Sequence, residues 1–236
     1  MQEAAIDSVN ATWPSARPGW RVVLELGVGY GLILWVIWAS RPWQRYLYWV
    51  AVAWILLVTV LSFDGWREMG LRVDGFGRSL WVVGVAAVVA AIVVAVGSTE
   101  GTLHPPHGGA GRFVATFWGY CIWAFFQQFL LQAFVLLRLM RLLPVRQAVV
   151  AAAALFALAH LPNPILTPLT VVWGLAACVL FLRYRNLYTL AVAHAILGVT
   201  LSITVPAARI HNMRVGWGYV TYRPHGVHRL PSLAQP

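Results

Sequence analysis

Apolar and polar positions alternate along the chain in long blocks, with apolar runs at 22–39, 46–63, 80–96, 113–137, 148–159, 166–182 and 187–205. A helix needs about 20 apolar residues to cross roughly 30 Å of hydrocarbon. Six runs are long enough and the run at 148–159 is short. That run ends in FALAHLPNPI, where Pro162 and Pro164 remove backbone donors and stop a helix. A broken helix is tolerated at membrane depth only where protein packs around it or where it lines a cavity, so the pattern places it inside a bundle. The expected architecture is all-α, a polytopic transmembrane helix bundle of about seven spans, within six to eight. A polar segment at 1–21 precedes the membrane domain at 22–205, and a basic, aromatic tail follows at 206–236. No internal repeat is visible.

Composition agrees with a lipid solvent. Of 236 residues, 60% are hydrophobic and 10% charged, and mean hydropathy is +0.72. Such a chain lacks the polar residues to cover a water-soluble domain. Residues 1–19 carry no apolar signal-peptide core, so the first span is expected to act as its own signal.

All 17 basic residues are arginine. With seven spans, Arg17, Arg21, Arg67, Arg72, Arg78, Arg138, Arg141, Arg146, Arg183 and Arg185 fall on one side, against Arg41, Arg45 and Arg112 on the other. Basic residues favour the cytoplasm, which puts the N-terminus inside. Arg209, Arg214, Arg223 and Arg229 in the tail oppose this assignment. A bacterial inner (plasma) membrane is the expected residence. The net charge of +10 lies at loop ends without the aromatic interleaving of a nucleic-acid surface. It therefore reads as anchoring to anionic lipid headgroups, with no nucleic-acid partner.

Polar side chains at membrane depth are costly and are candidates for function. They are Glu25, Gln127, Gln128, Gln132, His160, Asn163 and His194. Glu25 follows Arg21 by one helical turn, and an interfacial ion pair explains it. Gln128 and Gln132 are one turn apart, with Gln127 rotated by about 100°, so the three fan over roughly 140° of one helix. A single glutamine is explained as interhelical glue worth on the order of 0.6–2 kcal/mol. Three glutamines with histidines on two later segments point instead to a polar cavity. Cys121 and Cys178 lie in apolar runs and read as small hydrophobes. The segment 64–80, DGWREMGLRVDGFGRSL, mixes charge with apolar residues as headgroup-level segments do. HPPH at 104–107 reads as a solvated turn. Residues 209–230 read as an interfacial cap, in which His211, His225 and His228 offer a pH-sensitive or metal-binding patch. The sequon at Asn10 matters only if that end is exported to a glycosylating compartment.

The order QQFLLQ (127–132), FALAH (156–160) and HAILG (194–198) resembles the EExxxR, FxxxH and HxxxN pattern of the CAAX prenyl protease and bacteriocin-processing family of intramembrane proteases, also called the Abi family. The likeness, with MGLR before the third span, covers about 64–205. It implies an endopeptidase in which a glutamate activates water, histidines position that water or the substrate, and an asparagine stabilises the oxyanion. It places Gln127, Gln128, His160 and His194 at catalytic positions and Gly198 where the asparagine stands. Gln132 and Asn163 join Gly198 as expected cavity-lining residues.

The chain departs from that pattern in a directed way. A carboxamide cannot serve as a general base near neutral pH. The acidic residues are Glu3, Asp7, Glu25, Asp64, Glu68, Asp74 and Glu100, so nothing after Glu100 is acidic. Gly198 supplies no oxyanion donor. Two histidines fall short of the three protein ligands of a catalytic zinc site, so no cofactor is expected, and zinc on His160 and His194 is the metal reading at this site. Replacing glutamates and arginine together by glutamines removes both signs of charge and keeps hydrogen-bonding capacity. Three functions fit. The first is a degenerate protease binding a membrane peptide, lipid or partner protein; the second is an active endopeptidase using His160 or His194 as base. The third is a structural or assembly subunit of a membrane complex.

Overall fold

A computed structural model describes residues 18–63, 65–73 and 75–223. Among these residues six helices are long and apolar enough to cross a membrane: α1 (Gly19–Trp38), α2 (Arg41–Leu61), α3 (Phe76–Thr99), α4 (Gly109–Leu139), α6 (Leu166–Tyr184) and α7 (Leu187–Thr204). The short run forms α5 (Val145–Leu158). The protein is an integral membrane helix bundle. Asn10, His225 and His228 lie outside the described residues.

Helices α4 and α7 are the most deeply packed of the spans, and α7 contacts both α3 and α4. Small residues permit that approach: Ala191, Ala193, Ala195 and Gly198 are all buried on α7. Without a hydrophobic driving force in lipid, close backbone packing of this kind holds helices together. The α5–α6 contact follows the same rule, since a Cβ on Gly174 would lie only 3.1 Å from the Ala153 backbone. The start of α7 is fixed by Asn186, whose side chain accepts from the Thr189 amide at 3.1 Å, as an N-cap does.

Helix α4 is not uniform. Residues Leu130–Leu136 form a π-helical stretch in which Leu137 N–H reaches back five residues to Gln132 C=O. Such bulges shift the face a helix presents and frequently sit at functional sites. Nothing in the apolar pattern of 113–137 announces it.

Beyond the bulge, Arg138 corrects an expectation. It was assigned to a loop, yet it is 4% exposed. Its Nε donates to Glu25 at 3.2 Å, its Nη2 to Ser62 at 2.8 Å, and its guanidinium lies 4.3 Å from the Phe134 ring centre. Glu25 also keeps the expected bond from Arg21, 3.2 Å, but it is 5% exposed and not merely interfacial. The buried pair ties α1 to the end of α4, and it removes Arg138 from the charges that bear on orientation.

The 64–80 segment is also docked more firmly than a headgroup-level segment requires. Met69 is buried. Gly70 C=O accepts from Leu187 N–H at 2.9 Å, and Leu71 C=O accepts from Tyr188 O–H at 2.9 Å. Arg72 C=O accepts from Asn186. Gly70 has φ +72°, and the Phe181 ring occupies the space where a side chain would be, so this turn requires glycine.

Between α5 and α6, Asn163 is fully buried. Its Oδ1 accepts from Ile165 N–H at 3.1 Å and Leu166 N–H at 3.0 Å. Its Nδ2 donates to Ile210 C=O at 3.0 Å and Arg214 C=O at 3.1 Å. Asn163 thus clamps the segment after α7, which comprises α8 (Ala207–Ile210), a 3-10 turn and α9 (Gly216–Val220), to the α5–α6 turn. Gly216 N–H adds a bond to Leu161 C=O at 2.7 Å.

Two stability measurements check these connections. Glu25→Leu leaves a buried guanidinium short of its counter-charge and is expected to lose on the order of 3–5 kcal/mol. Arg21→Ala, at a half-exposed position, loses under about 1 kcal/mol. In thermal unfolding of the detergent-purified protein, Glu25→Leu/Arg138→Leu should recover much of the first loss. For the clamp, Asn163→Ala is expected to accelerate limited proteolysis within 206–223 well before the spans unfold. Unchanged cleavage there would show that Asn163 does not hold the tail.

Candidate active site

The FxxxH spacing has a local physical reason. Four residues apart on a helix, Phe156 and His160 share a face, and His160 Nδ1 donates to Phe156 C=O at 2.7 Å. The Phe156 ring stands edge-on to His160 at 4.7 Å between centres and to His194 at 6.1 Å. One phenylalanine therefore positions both histidines. The Nδ1–H bond leaves His160 Nε2 as an acceptor.

His194 is held from α4. Its Nδ1 lies 2.8 Å from Gln128 Nε2, so the amide donates and the neutral imidazole carries its proton on Nε2. Gln128 Oε1 in turn accepts a long, 3.5 Å bond from Gln132 Nε2. Both glutamines are fully buried. Trp173 packs on the far side of His194 at 5.8 Å. The two histidines present complementary groups, an acceptor on His160 and a donor on His194, with no formal charge between them.

A cavity of about 560 Å³ opens beside this pair, bounded by α1 to α7 and by Met213 and Val215. Gln127, His160, His194 and Gly198 line it, together with Tyr30, Tyr120, Thr170 and Thr200. The rest of its wall is aliphatic or aromatic, including Ile33, Ile55, Val93, Leu155 and Trp173. The expectation of a polar cavity is thereby corrected: the polar groups form a small cluster on an apolar wall. Gln127 lines it, whereas Gln128 and Gln132 are absent from its lining: Gln128 stands in the α4–α7 contact against His194, and Gln132 lies in the π-helical stretch that packs on α5 and α6. Gln132 and Asn163 were expected to line the cavity and do not. Asn163 serves the tail instead, because the proline-broken backbone around it needed a side chain to satisfy its amide groups.

Tyr120 and Trp173 had not been singled out from the sequence. A signal existed for Tyr120, which precedes Gln127 by seven residues and so shares its helical face. A Cβ on Gly198 would overlap the Tyr120 phenol, so the ring from α4 occupies the space that a side chain at 198 would take.

No three metal-ligating side chains cluster among the described residues. His104 is engaged with Thr102 C=O at 2.7 Å. His211 stacks on Tyr219 at 4.0 Å and Tyr222 at 4.7 Å. Cys178 is buried, whereas Cys121 is exposed on α4.

Residues 110–200, from the start of α4 to within the last turn of α7, match a family model described as type II CAAX prenyl endopeptidase Rce1-like. Comparisons with curated proteins and with solved structures gave no significant match. The matched stretch carries the glutamine, FxxxH and second-histidine segments and the helices that bring them together. On the helical architecture the chain is an integral membrane protein, and over residues 110–200 it is similar to the type II CAAX prenyl endopeptidases.

Proposed function

We propose that this protein binds an apolar chain, from a membrane lipid or a membrane peptide, in the cavity between its helices without hydrolysing it. The observation that carries this reading is the state of Gln128. Where the resembled pattern has a glutamate, a neutral amide donates to His194 and leaves no carboxylate to take a proton from water.

No other carboxylate takes its place among the described residues. Glu25 is committed to Arg138 and Arg21, Glu68 pairs with Arg185 at 3.5 Å, and Glu100 is exposed at the end of α3. The cavity itself, of a size suited to a small-molecule ligand, offers apolar surface to a chain and a few hydrogen-bonding groups to a polar end.

A second reading, an intramembrane endopeptidase, draws on one feature: the Nδ1–H bond to Phe156 leaves His160 Nε2 as an acceptor in the cavity. Histidine can accept a proton near neutrality. On that reading His160→Ala abolishes cleavage and Gln128→Leu impairs it through His194.

For the binding reading, a 16-carbon fatty acyl probe carrying a diazirine at its chain end is added to the protein in nanodiscs, and photo-adducts are located by mass spectrometry. Adducts are expected on cavity segments of α5 to α7, with Ala159→Trp, which fills the lining, reducing them at least 5-fold. Adducts spread evenly over the lipid-facing helices, unaffected by Ala159→Trp, would contradict it. Gln128→Leu strands His194 Nδ1 in the core and should cost about 1–3 kcal/mol of stability, read as a lower unfolding temperature.

A further inference from the structure

The Tyr120 hydroxyl has no hydrogen-bond partner among the described residues, yet it sits at the wall of the cavity and over a glycine. A Cβ on Gly198 would overlap the phenol oxygen and the adjoining ring carbons, so glycine is what allows the phenol to stand there. Gly198 follows His194 by one turn of α7, and Tyr120 shares the cavity face of α4 with Gln127. The hydroxyl is therefore on the same side of the cavity as the Gln127 amide and the His194 ring. A phenol in an apolar setting loses free energy when its O–H is left unpaired, and one directed hydrogen bond recovers it.

We infer that Tyr120 is the hydrogen-bond donor that reads a carbonyl oxygen on a ligand in this cavity, and that the preferred ligand is an apolar chain bearing an ester or amide group. This rests on the binding role proposed above and narrows its ligand class. The cluster favours a carbonyl over a charged head. His194 presents an N–H, Tyr120 an O–H and Gln127 an amide, all neutral. No arginine is among the residues that line the cavity, so a carboxylate or phosphate buried there would lack a counter-charge. A pure acceptor such as an ester meets these donors without that cost.

The test uses the full-length protein in detergent with two probes, methyl hexadecanoate labelled with ¹³C at its carbonyl and hexadecane. Affinities are measured by displacement of the photo-reactive acyl probe, and the carbonyl stretch of the bound ester by isotope-edited infrared spectroscopy. Wild type is expected to bind the ester more tightly than the alkane and to shift its carbonyl band to lower wavenumber than in bulk detergent. Tyr120→Phe, which keeps the ring over Gly198, should weaken the ester about 3- to 10-fold, the range of one net hydrogen bond. It should leave the alkane unchanged and move the band towards its detergent position. Gly198→Ala, which displaces the phenol, should repeat that pattern. Equal ester affinity and an equal band position in wild type and Tyr120→Phe, with both probes bound, would overturn the role of Tyr120 and leave binding itself standing. Failure of wild type to bind either probe would overturn the binding role and this inference with it.

Discussion

The hydrogen bond from Gln128 to His194 Nδ1, 2.8 Å long, joins the two most deeply packed spans without placing a charge between them. Hydrocarbon leaves few alternatives. A single carboxylate at Gln128 would need a cation or a proton, and the matched region offers only histidines nearby. The amide satisfies the imidazole, fixes its tautomer and holds α4 to α7. The rest of the site is built around it: the Phe156 ring from α5 stands edge-on to both histidines, and Tyr120 reaches over Gly198 because α4 lies against α7.

The interior does hold charge, away from the cavity lining. Glu25 and Arg138 form a buried pair at the α1–α4 contact, where Arg21 and Ser62 complete the set of partners. A buried pair is weak evidence for stability in itself, but loss of either member is expensive. The separation has a functional sense. Charged groups hold the frame, and neutral donors and acceptors face the cavity, so under the proposed binding role a ligand would meet hydrogen bonds on an apolar wall instead of a fixed charge.

The long apolar runs made the bundle legible, and Pro162 and Pro164 marked the broken segment, because span length and backbone donors are properties of sequence alone. The likeness at 127–132, 156–160 and 194–198 located the histidine pair, and the FxxxH spacing proved to have a hydrogen bond behind it. Three features were not legible. A π-helical stretch has no apolar signature of its own, and helical spacing alone placed all three glutamines around one cavity, whereas packing leaves Gln128 and Gln132 out of its lining. Arg138 lies at the end of a run, where an arginine normally reaches water, and only the approach of α1 reveals its partner. Asn163, polar and beside prolines, looked like a cavity residue, but its role depends on the return of the chain at Ile210 and Arg214, some fifty residues later.

The most direct measurement is of chemistry that should be missing. Quantitative terminal proteomics of native membranes compares cells carrying wild type, His160→Ala and His194→Ala at matched expression. Coincident profiles of new protein termini are expected of a site whose general-base position holds an amide. Termini that appear only with wild type, and appear again when the purified protein is reconstituted with the parent substrate, would contradict a non-hydrolytic role and assign the base to a histidine.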